Sequence, residues 1–388
     1  MSNEYNRRKF FGGAVCYSGL ALLLPGCGGS DSGPITVSPV PPTGSAPTPA
    51  PSPTPAPSPP PVTIAFAGSS SPEQYLSLYN GPATNPQITA SSDGEVFTPL
   101  ALGAFGKTAG NLINSNSGRP VRFIRGGIGA TTLAQWSSSN SPQRAALVAA
   151  IKKAGGADAI LVQVGRNDAA NLIVSTIEGQ ATALRFLISA LRTEAAVPSA
   201  MVFIGSSQDL IGGTTEQHLQ LARQRLAEVS VVASVPNVRY GFSTYDLPTS
   251  DNIHQTESSQ IISGTRFGAQ VLAWLKNQPE QRGPIISRIT LVDQNRSDIE
   301  LQLSVGTDIT PGSGIDGFQI VATDNLAELN IVSAERLGPT TVRLTHEARG
   351  NRQVRFGYAL DHDVSDTNCL RSNSINQLPA EPYVSNPL

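Results

Sequence analysis

Cysteine is scarce, with three residues in 388, at positions 16, 27 and 369. Two of them fall in the first thirty residues, so the body of the chain holds one thiol and can form neither an internal disulfide nor a metal site built on cysteines. Its fold must rest on a packed core. Charge is also scarce, at 14% with a net charge of −2. That leaves no basic footprint, and nucleic acid is not an expected partner. There are four histidines, so few imidazoles are available as a general base. The N-terminal apolar run, residues 12–24, falls short of the roughly 20 residues that a membrane-spanning helix needs.

Glycine and proline are abundant, at 36 and 30. Thirteen of the prolines lie between Pro34 and Pro61, and no charge appears from Ser32 to Pro72. Residues 28–61 therefore read as an extended proline-rich spacer with little to bury, rising about 3.1 Å per residue. Ahead of it, Asn6-Arg7-Arg8-Lys9-Phe10-Phe11 resembles a twin-arginine export signal, and Leu24-Pro25-Gly26-Cys27 resembles a lipidation site. Residues 1–27 are expected to be a lipoprotein signal with Cys27 as the lipidated residue. The protein would then be exported to the cell envelope and held to a membrane by its N-terminus.

From Val62 onward the pattern alternates. Short apolar runs at 62–67, 121–124, 157–164 and 200–204 read as strands. Helical stripes or helix-opening signals cover 142–154, 176–195, 214–232 and 257–277, with Ser141-Pro142 a cap followed by proline at the first helical position. Such alternation implies an α/β layer with a mostly parallel sheet over 62–280. Beyond the prolines of 279–284 the texture turns to strands, at 285–292, 298–305, 317–322, 327–332, 341–345 and 353–359. A β-sandwich over 284–388 is expected.

Four blocks in the first region carry candidate chemistry. Asp251-Asn252-Ile253-His254 can bring a carboxylate to one ring nitrogen of the imidazole while the other faces a site. Gly68-Ser69-Ser70 follows a strand and offers a hydroxyl, a weak nucleophile until a base takes its proton. Gly129, in Gly127-Ile128-Gly129-Ala130-Thr131-Thr132, can present a bare backbone N–H, and Asn167, in Gly165-Arg166-Asn167-Asp168, can donate from its amide. Both are suited to an oxyanion. Alone, each block reads equally as a turn, a cap or a surface pair. The four gain force from their fixed order.

In that order the blocks resemble those of the SGNH or GDSL hydrolase superfamily, and Pro120-Val121-Arg122-Phe123-Ile124 with Gly129-Ala130-Thr131-Thr132-Leu133-Ala134-Gln135-Trp136 resembles its sialate O-acetylesterase-like branch, which acts on acetylated carbohydrate. The resemblance runs from about Thr63 to Tyr383. It implies a three-layer α/β/α domain with a small accessory β-domain and no cofactor or metal. It also implies Ser70 as nucleophile, His254 as base and then acid, Asp251 as its orienter, and Ser70 N–H, Gly129 N–H and Asn167 as oxyanion donors. The chain departs from the pattern at Ser69, where Asp or Gln is usual, at Ala130, where a second glycine is expected, and at Gln255, which replaces a proline. These leave the nucleophile open among Ser69, Ser70 and Ser71, and the substrate subgroup open as well. The reading is an exported serine esterase removing short acyl groups, O-acetyl above all, from an acylated glycan. The alternatives are a general esterase or lipase with a pocket near Trp136, an acyltransferase, and a non-catalytic carbohydrate-binding lipoprotein.

Overall fold

The computed structural model describes residues 59–388 except 174, 208–209, 252, 325–326, 361–363 and 365–366. The signal, Cys27 and nearly all of the spacer lie outside the described residues. Those from 59 onward belong to one compact unit.

Seven strands form the first sheet: β1 (Val62–Gly68), β2 (Ile88–Ser91), β3 (Thr98–Pro99), β4 (Val121–Ile124), β5 (Ala159–Gln163), β6 (Met201–Gly205) and β7 (Val238–Phe242). Their order is β3-β2-β4-β1-β5-β6-β7, all parallel except the edge strand β3. The chain reaches β4 on one side of β1 before crossing to β5 on the other. The loops leaving these three strands therefore part at their carboxyl ends, where α/β sheets hold ligands.

Residues of β1 alternate between the two faces, as the period of a strand requires. Ala65 and Ala67 enter a core beneath α4 (Pro142–Lys153), α6 (Ile177–Glu194) and α7 (Thr215–Ser234). Ile64 and Phe66 enter a second core beneath α2 (Ala104–Ser117) and α8 (Glu257–Leu275). Phe66 makes edge contacts with Phe105, Phe123 and Phe267 at 5.3–6.1 Å between ring centres. The result is three layers, α/β/α. Three single-turn helices, α1 (Ser70–Gln74), α3 (Leu133–Ser137) and α5 (Arg166–Ala170), sit at the carboxyl edge of the sheet.

The remainder is antiparallel. One sheet runs β12-β13-β9-β8, from β8 (Ile285–Leu291), β9 (Arg296–Gln302), β12 (Ile331–Gly338) and β13 (Thr341–His346). The other joins β11 (Phe318–Ala322), β14 (Val354–Tyr358) and β16 (Tyr383–Val384), and both contribute to one core around Ile299, Ile320, Leu344 and Phe356. A two-stranded ribbon pairs β10 (Ile309–Thr310) with β15 (Arg371–Ser372). The expected strand over 327–332 is displaced. Glu328 forms an isolated bridge to Val321, and the strand proper begins at Ile331.

Candidate active site

The turn out of β1 is set by Gly68. Its φ is +147°, and a Cβ there would lie 2.0 Å from the Gln163 carbonyl oxygen, so a side chain would break the contact between β1 and β5. Ser69 then caps α1 and Ser70 is its first residue. Ser69 and Ser71 are buried, whereas Ser70 is half-buried with its Oγ 3.0 Å from Nε2 of His254. Of the three serines left open by the sequence, Ser70 carries the hydroxyl that meets the imidazole.

His254 lies in the loop between β7 and α8. Asp251 Oδ1 accepts the N–H groups of Ile253 at 3.0 Å and His254 at 2.6 Å, folding the segment into a tight turn. The other oxygen, Oδ2, lies 2.7 Å from Nδ1 of the same histidine. Partial burial pushes the Asp251 carboxyl up, but the bonds from the His254 ring and the two backbone N–H groups outweigh it and hold the group at about 2. The loop is braced by Ser250 N–H on the His254 carbonyl at 2.7 Å, and by Gln255, buried where a proline was expected, whose amide donates to Ser263 Oγ at 2.8 Å. Thr256 caps α8 through Ser259 N–H.

The second block continues beyond β4 alongside the serine turn. Gly127 bridges Gly68, and Ile128 N–H donates to the Gly68 carbonyl at 3.0 Å. A Cβ on Gly127 would fall 2.2 Å from Glu73 N, so the backbone of this block packs directly on α1. Gly129 is exposed beside the Glu73 carboxylate, and Ala130 adopts φ +61°, which explains why glycine is the expected residue there. The third block locks onto the second. Asn167 Nδ2 donates to the Thr131 carbonyl at 2.9 Å, and the buried Asp168 accepts Leu133 N–H at 2.6 Å and Ala134 N–H at 3.2 Å. Burial pushes the Asp168 carboxyl up despite these bonds.

Trp136 is not the wall of an open pocket. It is fully buried, and its indole N–H donates to Thr131 Oγ1 at 3.0 Å, so it supports the second block from within. The clamp made by Asp168 was not read from the sequence, although its place beside Asn167 was a signal. Among the described residues no group of three or more His, Cys, Asp or Glu side chains is placed to hold a metal ion.

A family model described as "carbohydrate esterase, sialic acid-specific acetylesterase" matches residues 83–273. The match lies within the α/β region, and it makes the chain a carboxylic ester hydrolase. No curated protein sequence matches it. Among solved structures, a carbohydrate acetylesterase from Xanthomonas citri superposes with a TM-score of 0.65 at 13% identity, covering 84% of this chain and 80% of that one, which shows a shared fold. Two others are alike at TM-scores too low to compare folds. An Arabidopsis thaliana protein reaches 0.44 at 19% identity over 56% of this chain and 100% of its own. A carbohydrate acetylesterase from Sinorhizobium meliloti reaches 0.39 at 15% over 55% and 99%. The match begins at residue 83, beyond Ser70, and includes the loop that carries His254.

Proposed function

We propose that this carbohydrate esterase removes short acyl groups, O-acetyl above all, from a glycan through Ser70, His254 and Asp251. The observation that carries the reading is the unbroken relay from Ser70 Oγ to His254 Nε2 at 3.0 Å and from His254 Nδ1 to Asp251 Oδ2 at 2.7 Å. Nε2 takes the Oγ proton as Oγ bonds to the ester carbonyl. Asp251, ionised across the working range, fixes the tautomer and stabilises the imidazolium. The bond to the sugar oxygen then breaks, and that oxygen leaves with the proton from Nε2. Water repeats the sequence, releasing the acid and free Ser70.

The oxyanion is assigned to Ser70 N–H, Gly129 N–H and Asn167 Nδ2. The Asn167 amide bears two hydrogens and spends one on Thr131, so a second is free for this task. Hydrolysis is favoured over transfer to a second alcohol by the openness of the relay, whose Asp251 side chain is 53% exposed and reached by water. We also assign residues 62–280 and 284–388 to two domains, and residues 1–27 to a lipoprotein signal that delivers the chain to the envelope through Cys27. A direct test is acetate release from acetylated oligosaccharides. Ser70→Ala is expected to lower kcat by about 10⁴-fold or more with the fold intact. Unchanged release in that variant would sink the assignment.

A further inference from the structure

A pocket of about 330 Å³ lies on the seam between α8 and the segment that follows β15. None of Ser70, His254 and Asp251 lines it, so it is separate from the relay. Arg266 of α8 and Arg371 of β15 both contribute to its wall. Both also reach the fully buried Asp246, Arg266 at 2.7 and 2.8 Å and Arg371 at 3.0 and 3.2 Å. Two guanidiniums thus share one carboxylate, and among the described residues no acidic side chain lines the pocket. The cluster is left with a positive charge in excess.

Its donors are not used up either. Arg266 spends Nη1 and Nη2 on Asp246 and on the carbonyls of Ser243 and Gln377, while its buried Nε has no partner. Arg371 gives Nε and Nη2 to Asp246, and its Nη1 bonds to no described residue. Ser258 and Ser259 bring the first turn of α8 to the same pocket, the positive end of a 19-residue helix. The rest of the wall is largely aliphatic, from Leu247, Pro248, Ile261 and Ile262, with Ile375 98% exposed at the rim. A guanidinium withdrawn from water without a full counter-charge is unfavourable alone. An incoming anion relieves it through charge-assisted hydrogen bonds.

We propose that this pocket binds a small organic oxyanion, with its charged end on the arginine pair and its apolar body against the isoleucines of α8. Carboxylate and phosphate share the required chemistry, since each offers oxygens that an arginine fork can grip. A bound anion bridges α8 and the segment after β15, and so ties the β-region to the helix that follows His254. The site stands apart from the acyl chemistry and does not depend on which serine is the nucleophile.

The test is calorimetry on the full chain with benzoate, with benzamide as its neutral isostere, and with inorganic phosphate as competitor. Benzoate is expected to bind about 10-fold or more tightly than benzamide. Competition by phosphate supports a site open to both oxyanions, and its absence supports a carboxylate site. Ser258→Glu sets a carboxylate at the pocket without harm to α8, because an acid is favoured in the first turn. It is expected to weaken benzoate by about 10-fold or more, whereas the neutral Ser258→Gln retains binding. Arg371→Gln, checked for folding by its unfolding transition, is expected to lose the preference for benzoate. Crystals soaked with 4-iodobenzoate are expected to show the iodine, located by its anomalous scattering, beside Ile262. No binding of benzoate, equal binding of benzoate and benzamide, or equal effects of the two Ser258 variants would each overturn the proposal. So would a preference that survives in folded Arg371→Gln, or iodine found solely elsewhere. If Arg371→Gln does not fold, the Ser258 pair decides.

Discussion

Asn167 shows how tightly single residues are committed in this site. Its amide is tied to Thr131 by one bond and assigned to the oxyanion by the other, while its neighbour Asp168 clamps the start of α3. Asn167→Ala is expected to lower kcat by about 100- to 1000-fold with little change in KM, since the bond to the substrate oxygen is strongest in the transition state. Steady-state kinetics with an acetylated sugar checks this, and a loss confined to KM would contradict the role. The four blocks were legible in the sequence because glycine, serine, asparagine and histidine have few other reasons to occur in that order. Trp136 was not, because a large aromatic beside a motif reads equally as pocket wall or as core.

At the level of elements, helices with strong caps were the most legible. Pro142–Lys153, opened by Ser141 and a proline, and Thr215–Ser234, opened by a Thr214–Gln217 capping box, appear where local chemistry places them. The helix Ala104–Ser117 was missed because its cap, Gly103, makes no side-chain bond and its sequence holds two glycines and three asparagines. It forms because Phe105, Ala109 and Ile113 pack beneath the sheet, so tertiary burial overrides weak propensity. The strand Val238–Phe242 was too short and glycine-broken to announce itself.

Helix α7 carries an unusual inner face, with Gln220, Gln224, Arg225 and Glu228 all buried. Glu228 accepts from Gln224 at 3.2 Å, and burial pushes its carboxyl up to about 7. A carboxyl raised in the native state contributes stability that is full below its unfolded value near 4.5 and lost as pH rises through about 7. Stability is therefore expected to drop by an amount on the order of 3 kcal/mol from pH 4.5 to 8. Glu228→Gln should flatten that part of the profile. Urea titrations at a series of pH values read the effect, and an identical slope in the variant would refute it.

Across the whole molecule, the antiparallel region is joined to the loop that carries His254. Tyr245 Oη donates to the Ala380 carbonyl. The buried Asp246 receives Arg266 at 2.7 and 2.8 Å from within the α/β region and Arg371 at 3.0 and 3.2 Å from β15. Arg266 also donates to the Gln377 carbonyl at 3.1 Å, and Arg225 of α7 to the Ala359 carbonyl at 3.0 Å. Buried ion clusters of this kind gain little over an apolar core, yet losing one member is costly because a charge is left without its partner. Arg371→Met is expected to destabilise the protein by up to about 3 kcal/mol in chemical denaturation, with Arg266 still facing Asp246. A neutral effect would mean that the β-region is merely appended. The aromatic residues of that region serve its core. Phe318, Phe356 and Tyr358 are buried, and Tyr383 packs against them.

The most direct test of the central claim is covalent labelling of the full chain by a fluorophosphonate, with the adduct located by peptide mass spectrometry and His254→Ala run alongside. An adduct on Ser70 that disappears in the variant is expected, because Oγ is a nucleophile only while His254 Nε2 takes its proton. No adduct in the folded protein, an adduct on Ser69 or Ser71, or labelling of Ser70 that persists without His254 would contradict the relay.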